Sequence, residues 1–271
     1  MDTGASGKNG GAAADLSVMI PCRNNERTIG RVIESVRGLA KQLVVIDSGS
    51  TDSTLEIVER ARGWCELVVI RTHWRGYITT KQMGLRACSG GHVLLLDSDE
   101  PLDETMRGSV RDACARGVDA GTLNRVVEYR GRLLQHSWQP EWRLRFVKRV
   151  LIDEGLARVE GINPHDHLEV DEGIVVERLK GVLIHDSFET FGEHFGKQLH
   201  LTKAHAEALY AQGRRTTRRR LVLSPLGAYG KQLVMKGSWR DGYAGWLAAS
   251  TSAVGALMKH AMLLEMQNRD R

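Results

Sequence analysis

The chain has 271 residues, 42% of them hydrophobic and 26% charged, with a net charge of +5. That is the balance of a soluble globular protein, long enough for one large domain or two small ones with a core that needs no staples. Its four cysteines, Cys22, Cys65, Cys88 and Cys114, stand singly without a Cys-x-x-Cys, which excludes a disulfide framework or a zinc knuckle and fits reduced thiols in the cytoplasm.

Residues 1–14 are rich in Gly, Ala and Ser and read as a disordered tail, and the apolar run at 16–20 is too short for a signal peptide. From there, short apolar runs alternate with amphipathic stretches, the pattern of βαβ units on a mostly parallel sheet flanked by helices. Residues 16–21 predict a strand, followed by a helix that Asn24 or Asn25 caps and that carries Ile29, Val32, Ile33 and Val36 at helical spacing. Residues 43–47 predict the second strand, Ser48-Gly49-Ser50-Thr51-Asp52 a tight polar turn, and Ser53-x-x-Glu56 a capping box. A third strand at 67–71, a helix at 78–88 and a strand at 93–96 complete a nucleotide-binding half over 15–117. Right-handed crossovers would bring Pro21, Asp47, Arg71 and Asp97 to one edge of its sheet. A helix from Pro101 to about Arg116 follows, and then the regular alternation ends. Residues 120–129, 132–134 and 144–148 predict antiparallel strands, 154–171 a loop, and 174–184 a further strand. Beyond Phe188 the chain reads as helical, giving a unit over 15–187 and a C-terminal helical extension over 188–271.

The fourth strand is an unbroken apolar run that ends in Asp97-Ser98-Asp99-Glu100. Parallel sheets hold ligands at their carboxyl ends. Two carboxylates two positions apart on a strand point to the same side, which suits a hard divalent cation. The competing reading makes Asp-Ser-Asp the cap of the Pro101 helix. Asp47 ends its strand where a base or ribose would be hydrogen-bonded. Neither Gly-x-Gly-x-x-Gly nor Gly-x-x-x-x-Gly-Lys-Ser/Thr is present, so diphosphate charge would need a metal, and that need favours the cation reading of Asp97 and Asp99.

These residues resemble the family 2 glycosyltransferases of the GT-A fold. Residues 16–26 look like that family's first strand and nucleotide-facing loop, and Asp47–Asp52 and Asp97–Glu100 are similar to its donor-base and metal motifs. Residues 77–84 with Lys81-Gln82, and Asp241-Gly242 before an apolar helix, resemble more narrowly the bacterial lipopolysaccharide core β-glucosyltransferases. The resemblance implies inverting transfer from a nucleotide diphosphate sugar, most often a UDP-sugar, to a lipid-linked or lipopolysaccharide-type acceptor, with Mg²⁺ or Mn²⁺. It divides the first unit into a nucleotide-sugar-binding half (15–117) and an acceptor half (118–187). It places Pro21, Arg23, Glu26, Asp47, Ser48, Lys81, Asp97 and Ser98 at the donor, Asp99 with Asp97 on the metal, and His165-Asp166 where that subfamily has His-Glu. Asp166 is then the expected base, with Glu100 and Asp186 in reserve.

His165, His167 and His185 are placed to orient Asp166, bind the metal or contact diphosphate. Lys81 reads as a diphosphate partner or a solvated helix lysine, and Arg143 and Arg145 as a phosphate grip or an exposed strand edge. Trp74, Trp138 and Trp142 offer stacking faces for sugars, although core packing is the commoner fate. Arg214, Arg215, Arg218, Arg219 and Arg220 form a cluster suited to phosphate-rich partners or to a solvated helix face. The uncharged stretch 243–258 falls short of the ~20 residues of a span and suits a monotopic membrane contact or a buried helix. The expected location is cytoplasmic, peripheral on the inner face of the cytoplasmic membrane, with no nucleic acid as partner. Nucleotidyl transfer and a non-catalytic nucleotide-sugar or nucleic-acid binding module remain as alternatives, although Cys22-Arg23-Asn24-Asn25 lacks the glycine-rich loop of a nucleotidyltransferase.

Overall fold

The computed structural model describes residues 13–162, 165–186 and 188–269. The expected tail therefore lies, as far as residue 12, outside the described residues. Strands β1 (Ala14–Cys22), β2 (Ala40–Asp47), β3 (Glu66–Arg71) and β4 (His92–Leu95) are linked by α1 (Ile29–Val36), α2 (Thr54–Glu59) and α3 (Tyr77–Ala87). They lie parallel in the order β4-β1-β2-β3. Val18, Met19 and Ile20 of β1 and Val44, Val45 and Ile46 of β2 are all fully buried, because helices cover both faces of the sheet. The register sets Cys22, Asp47 and Arg71 side by side. Asp97 follows β4 at the same end, so the four carboxyl ends share the edge the sequence predicts.

The helix caps differ from expectation. Asn24, at φ 52°, and Asn25 cap nothing; they pin the loop after β1. The Thr51 N–H donates to Asn24 Oδ1 at 2.8 Å and the Arg23 N–H to Asn25 Oδ1 at 2.7 Å. Ser53 makes no side-chain cap, and Asp52 Oδ1 accepts the Thr54 N–H instead at 3.0 Å. Helix α4 (Glu104–Arg116) begins beyond Pro101, capped by Asp103, whose Oδ1 accepts the Met106 N–H at 2.7 Å. Asp97-Ser98-Asp99 is therefore not a helix cap, and its carboxylates are left to the sheet edge.

Strand β7 (Trp142–Lys148) runs antiparallel between β4 and β5 (Ala120–Tyr129), so both halves share one sheet. Strand β6 (Arg132–Leu133) forms a hairpin with β5. The short helix α5 (Arg149–Asp153) then leads to a correction. The stretch expected as a loop holds an antiparallel hairpin of β8 (Ala157–Ile162) and β9 (His165–Val170). Ala157, Val159 and Leu168 are buried, an alternation that the polar, His-rich composition around Pro164 concealed. The single strand expected at 174–184 is two, β10 (Val176–Arg178) and β11 (Leu183–His185), each parallel to β5. Gly181 parts them at φ +110°, where a Cβ would sit 2.3 Å from the Met106 nitrogen.

The extension folds as α6 (Phe191–Ala211), α7 (Arg218–Gly230) and α8 (Tyr243–Arg269), with a π-type turn at Lys231–Met235 and a 3₁₀ turn at Ser238–Asp241 joining the last two. By length and composition α8 could cross a bilayer. Here its small residues Ala244, Ala248, Thr251 and Gly255 are buried at helical spacing, and a Cβ on Gly255 would meet Gln198 of α6 at 2.5 Å. Polar links tie its distal half to the α6–α7 loop, with His260 Nδ1 at 2.7 Å from Thr216 Oγ1 and the Thr216 N–H donating to Gln267 Oε1 at 2.7 Å. The extension is joined to the sheet through buried Asp241. Its Oδ2 accepts the N–H groups of His136 and Ser137 at 3.1 and 2.7 Å and the Ser137 hydroxyl at 2.7 Å.

Candidate active site

The acidic turn after β4 is the centre of a charged chain that crosses from the parallel half to the hairpin. Lys81, on the face of α3 that packs against the sheet and only 4% exposed, places Nζ 2.8 Å from Asp97 Oδ1 and 2.8 Å from Asp166 Oδ2. The other Asp97 oxygen lies 2.6 Å from an Arg145 nitrogen, which also meets Glu100 at 2.7 Å. Glu100 reaches Arg125 at 3.2 Å, and Arg125 and Arg143 both grip Glu141, at 2.6 and 2.5 Å. Charges alternate along the whole chain, so each buried ion has an opposite neighbour, the condition under which burial is tolerated. Residues far apart in sequence thus meet at one edge because β7 inserts between β4 and β5.

The electrostatics follow. Burial pushes the Asp97 carboxyl up, but Arg145 and Lys81 outweigh it and hold the group well below the usual carboxylate range. Burial pulls Lys81 down, and Asp97 and Asp166 carry it above its ordinary value despite Arg145. Asp99 differs. Burial raises its pKa, with Glu100 and Asp97 adding to the rise and His185 and Arg125 opposing it. The one basic side chain within 4 Å of its carboxylate among the described residues is His185, with Nε2 at 3.6 Å. Burial lowers His185, so it is neutral at pH 7, and its Nδ1 is buried without a hydrogen-bond partner.

These donors bear on the cation that the acidic motif implies. Among the described residues no three His, Cys, Asp or Glu side chains are placed to hold a metal. Both Asp97 oxygens carry cations, so Asp97 enters a metal's shell only by releasing Lys81 or Arg145. Asp99 offers an unmatched carboxylate, and His185 offers an imidazole beside it. The Asp99 carboxylate is the hard oxygen donor that would hold Mg²⁺ or Mn²⁺ beside a diphosphate, and the His185 imidazole would be a softer, secondary donor. The residues present fit that arrangement through Asp99, not through a closed protein cage.

The other expected donor residues lie along the same edge with varied engagement. Asp47 is 2% exposed, and its carboxylate accepts the Ser50 N–H at 3.0 Å and the Gly49 N–H at 3.2 Å, fixing the turn after β2. The Ser48 N–H donates to Cys22 O at 3.0 Å, and Ser98 is buried. Glu26 Oε2 accepts the Ser53 N–H at 3.0 Å, joining the loops after β1 and β2. Pro21 is half-buried at the end of β1 and Arg23 is exposed. Asp166, on β9, has a side chain only 6% exposed, next to Lys81. The His165 side chain lies outside the described residues, and His167 faces Glu169 at 3.2 Å, not the site.

Both reserve bases are, like Asp166, held in ion pairs. Glu100 is fully buried between two arginines, and Asp186 is held by Arg27 at 2.8 Å and Arg31 at 3.5 Å. Arg143 and Arg145 are spent on carboxylates, which leaves neither free as a phosphate grip. Trp74 and Trp142 are exposed where core packing was the commoner expectation. Trp74 meets Tyr77 edge-on at 4.7 Å, and the nearby Asp166 charge helps burial raise the Tyr77 hydroxyl pKa, so this aromatic pair borders the Lys81–Asp166 contact. Trp138 is half-buried, its indole N–H donating to Ser252 Oγ at 3.2 Å. Arg125 and Glu141 were missed by sequence reasoning: nothing local marks them, and their role follows only from strand pairing.

Comparison with known proteins gives the fold and chemistry their context. Residues 17–150 match the family model for glycosyl transferase family 2. The chain is 29% identical over 252 residues to the lipopolysaccharide core biosynthesis glycosyltransferase LpsC of Rhizobium meliloti, with 92% of each chain covered. It is 23% identical over 266 residues to an uncharacterized glycosyltransferase of Rickettsia typhi, covering 94% of this chain and 89% of the other. The structure of S. aureus TarS 1-349 in complex with UDP-GlcNAc superposes with a TM-score of 0.50 at 15% identity, covering 94% of this chain and 92% of that one. The likeness extends over most of both chains, and the architecture is the GT-A fold.

Proposed function

The chain is a glycosyltransferase built on a family 2 domain, and from that premise we infer that it moves a sugar with inversion from a nucleotide diphosphate sugar to a lipid-linked or lipopolysaccharide-type acceptor. The similarity to a lipopolysaccharide core glycosyltransferase over most of both chains supports the acceptor class, and the donor-base motif at Asp47 supports a UDP-sugar. A lipid-linked acceptor puts the enzyme in the cytoplasm, peripheral on the inner face of the cytoplasmic membrane.

One observation carries the reading: Lys81 Nζ lies 2.8 Å from both Asp97 and Asp166, which couples the donor edge to the candidate base. In this scheme Pro21, Arg23, Asp47 and Ser48 hold the nucleotide, with Glu26 fixing their loop. Asp97 and Ser98 border the ribose, and Asp97 keeps Lys81 and Arg145 against the site. Asp99, with His185, would hold the cation, and Trp74 and Tyr77 border the sugar. Mg²⁺ or Mn²⁺ bound there supplies Lewis-acid neutralisation of the diphosphate. Asp166 takes the proton of the acceptor hydroxyl as its oxygen forms the new bond to the anomeric carbon. The bond from that carbon to the diphosphate oxygen breaks, and its electron pair leaves with the nucleotide.

Titration with UDP-sugars in the presence and absence of Mn²⁺, alongside transfer assays, tests the assignment. Asp99→Ala should abolish the metal-dependent part of donor binding. Asp166→Ala should leave donor binding within a few-fold of the parent and lower transfer by about 10²-fold or more. Full turnover in Asp166→Ala would remove that residue as base, and donor affinity indifferent to metal in the parent would remove the role of Asp99.

A further inference from the structure

The extension presents a surface that transfer chemistry does not use. From Ala208 to Arg240 the sequence has eight Lys and Arg and no Asp or Glu, and the next acid, Asp241, is buried against Ser137. Helix α7 has no buried residue. Arg218, Arg219 and Arg220 open it, and Val222, Leu223 and Leu226 follow, each more than 60% exposed. The corner between α7 and α8 continues the pattern. Val234 is 69% exposed, Met235 81%, Trp239 52% and Tyr243 73%, with Lys231, Lys236 and Arg240 among them. Single exposed apolar side chains are ordinary, but a run of them with aromatics and cations in one corner marks a binding surface.

We propose that the α7 face and the α7–α8 corner form an interfacial site for an anionic phospholipid bilayer, with Val234, Met235, Trp239 and Tyr243 entering the headgroup layer and the surrounding Lys and Arg meeting lipid phosphates. Charge decides among occupants. A second copy of this face would oppose cation to cation. A nucleic acid would satisfy the arginines but offers nothing to Val222, Leu223, Leu226, Val234 and Met235. A bilayer with acidic headgroups satisfies both sets, since Trp and Tyr favour the interface and long basic side chains reach from it to phosphate. This places most of the contact upstream of the stretch at 243–258, where Ala244, Gly245, Ala248, Ala249, Thr251 and Gly255 are taken up by packing within the extension. The site also has a physical connection to the catalytic edge. Asp241 of the corner binds His136 and Ser137, and Gln139 of the same loop donates to Arg125 O at 2.7 Å, within the charged chain that ends at Asp166.

The inference rests on the peripheral location proposed above, and vesicle binding is read without donor or acceptor, so its failure leaves the transfer reading intact. The full chain is floated with vesicles of phosphatidylcholine alone and of phosphatidylcholine mixed with phosphatidylglycerol, while tryptophan emission is recorded. The expected result is binding to the mixed vesicles about tenfold or more tighter than to the neutral ones, weakened by salt, with a shift of emission to shorter wavelength. The double variant Val234→Asp, Met235→Asp should lose about tenfold in vesicle affinity, and Arg218→Ser, Arg219→Ser, Arg220→Ser should flatten the salt dependence, both with unchanged melting temperature because the replaced side chains are exposed. Absence of binding to the mixed vesicles would overturn the proposal. So would undiminished binding by the Val234→Asp, Met235→Asp variant together with equal affinity for RNA, which would mean a general polyanion surface.

Discussion

Asp97 and Asp99 stand two residues apart and end in opposite electrostatic states. Asp97 is matched by Lys81 and Arg145 and ionises readily. Asp99 has only neutral His185 close by, and burial beside two carboxylates raises its pKa. A carboxyl whose pKa is higher in the folded than in the unfolded chain costs stability in its ionised form. That cost is full above the folded value and vanishes as the pH falls below the unfolded value of ~3.9. Asp99→Asn is therefore expected to raise the melting temperature at pH 7 by about 2–4 °C, corresponding to ~1 kcal/mol. The gain should shrink toward pH 4, and melting curves taken across that range with and without Mn²⁺ check it. The same substitution removes the proposed metal response, so stability and donor binding move in opposite directions at this residue. The thiols take no part: burial pushes Cys22, Cys88 and Cys114 up to about 12, and all four cysteines are free.

At the scale of elements, α3 brings Lys81 to the sheet edge, and the depth at which it lies is fixed by Gly84 one turn later. A Cβ on Gly84 would come within 2.6 Å of Met19 Cγ and 3.0 Å of Ile46 Cγ1, both fully buried side chains of β1 and β2. Gly84→Val should lift α3 from the sheet and cost about 1–3 kcal/mol by overpacking, readable as a lower urea midpoint. It should also lower transfer more than the stability loss alone would, because Lys81 withdraws from Asp97 and Asp166. The β8–β9 hairpin plays the matching part on the other side. Its alternation was present in the sequence, but it hid in a polar stretch containing Pro164, and the expected loop proved to be the strand pair that carries Asp166 to Lys81.

For the whole molecule, the helical extension is attached by the hydrophobic cluster of Val127, Leu134, Phe188, Phe191 and Ala244, by the Trp138–Ser252 hydrogen bond and by one buried carboxylate. Asp241 Oδ2 accepts three hydrogen bonds, from the N–H groups of His136 and Ser137 and from the Ser137 hydroxyl. Asp241→Ala leaves those donors buried without an acceptor, and the expected cost is about 1–3 kcal/mol. Limited proteolysis should then cut faster in the 213–217 linker between α6 and α7 than in the parent, with circular dichroism of the sheet preserved. If the extension carries the bilayer contact, the same variant should still float with acidic vesicles while transfer to a lipid-linked acceptor falls, since the connection between the two is what it breaks.

The sequence by itself determined the parallel half: continuous Val, Leu and Ile runs can be satisfied only between two layers of helices, and the acids that terminate those runs must lie at the carboxyl edge. It also determined the family resemblance and the candidate set from Pro21 to Asp99. What only the tertiary structure decided is how those charges are shared. The insertion of β7 between β4 and β5 delivers Arg145 to Asp97 and Arg125 to Glu100, and the packing of α3 delivers Lys81 to Asp166. These pairings span tens of residues and leave no local pattern, because an ion pair is set by distance in space and a sequence records only order along the chain.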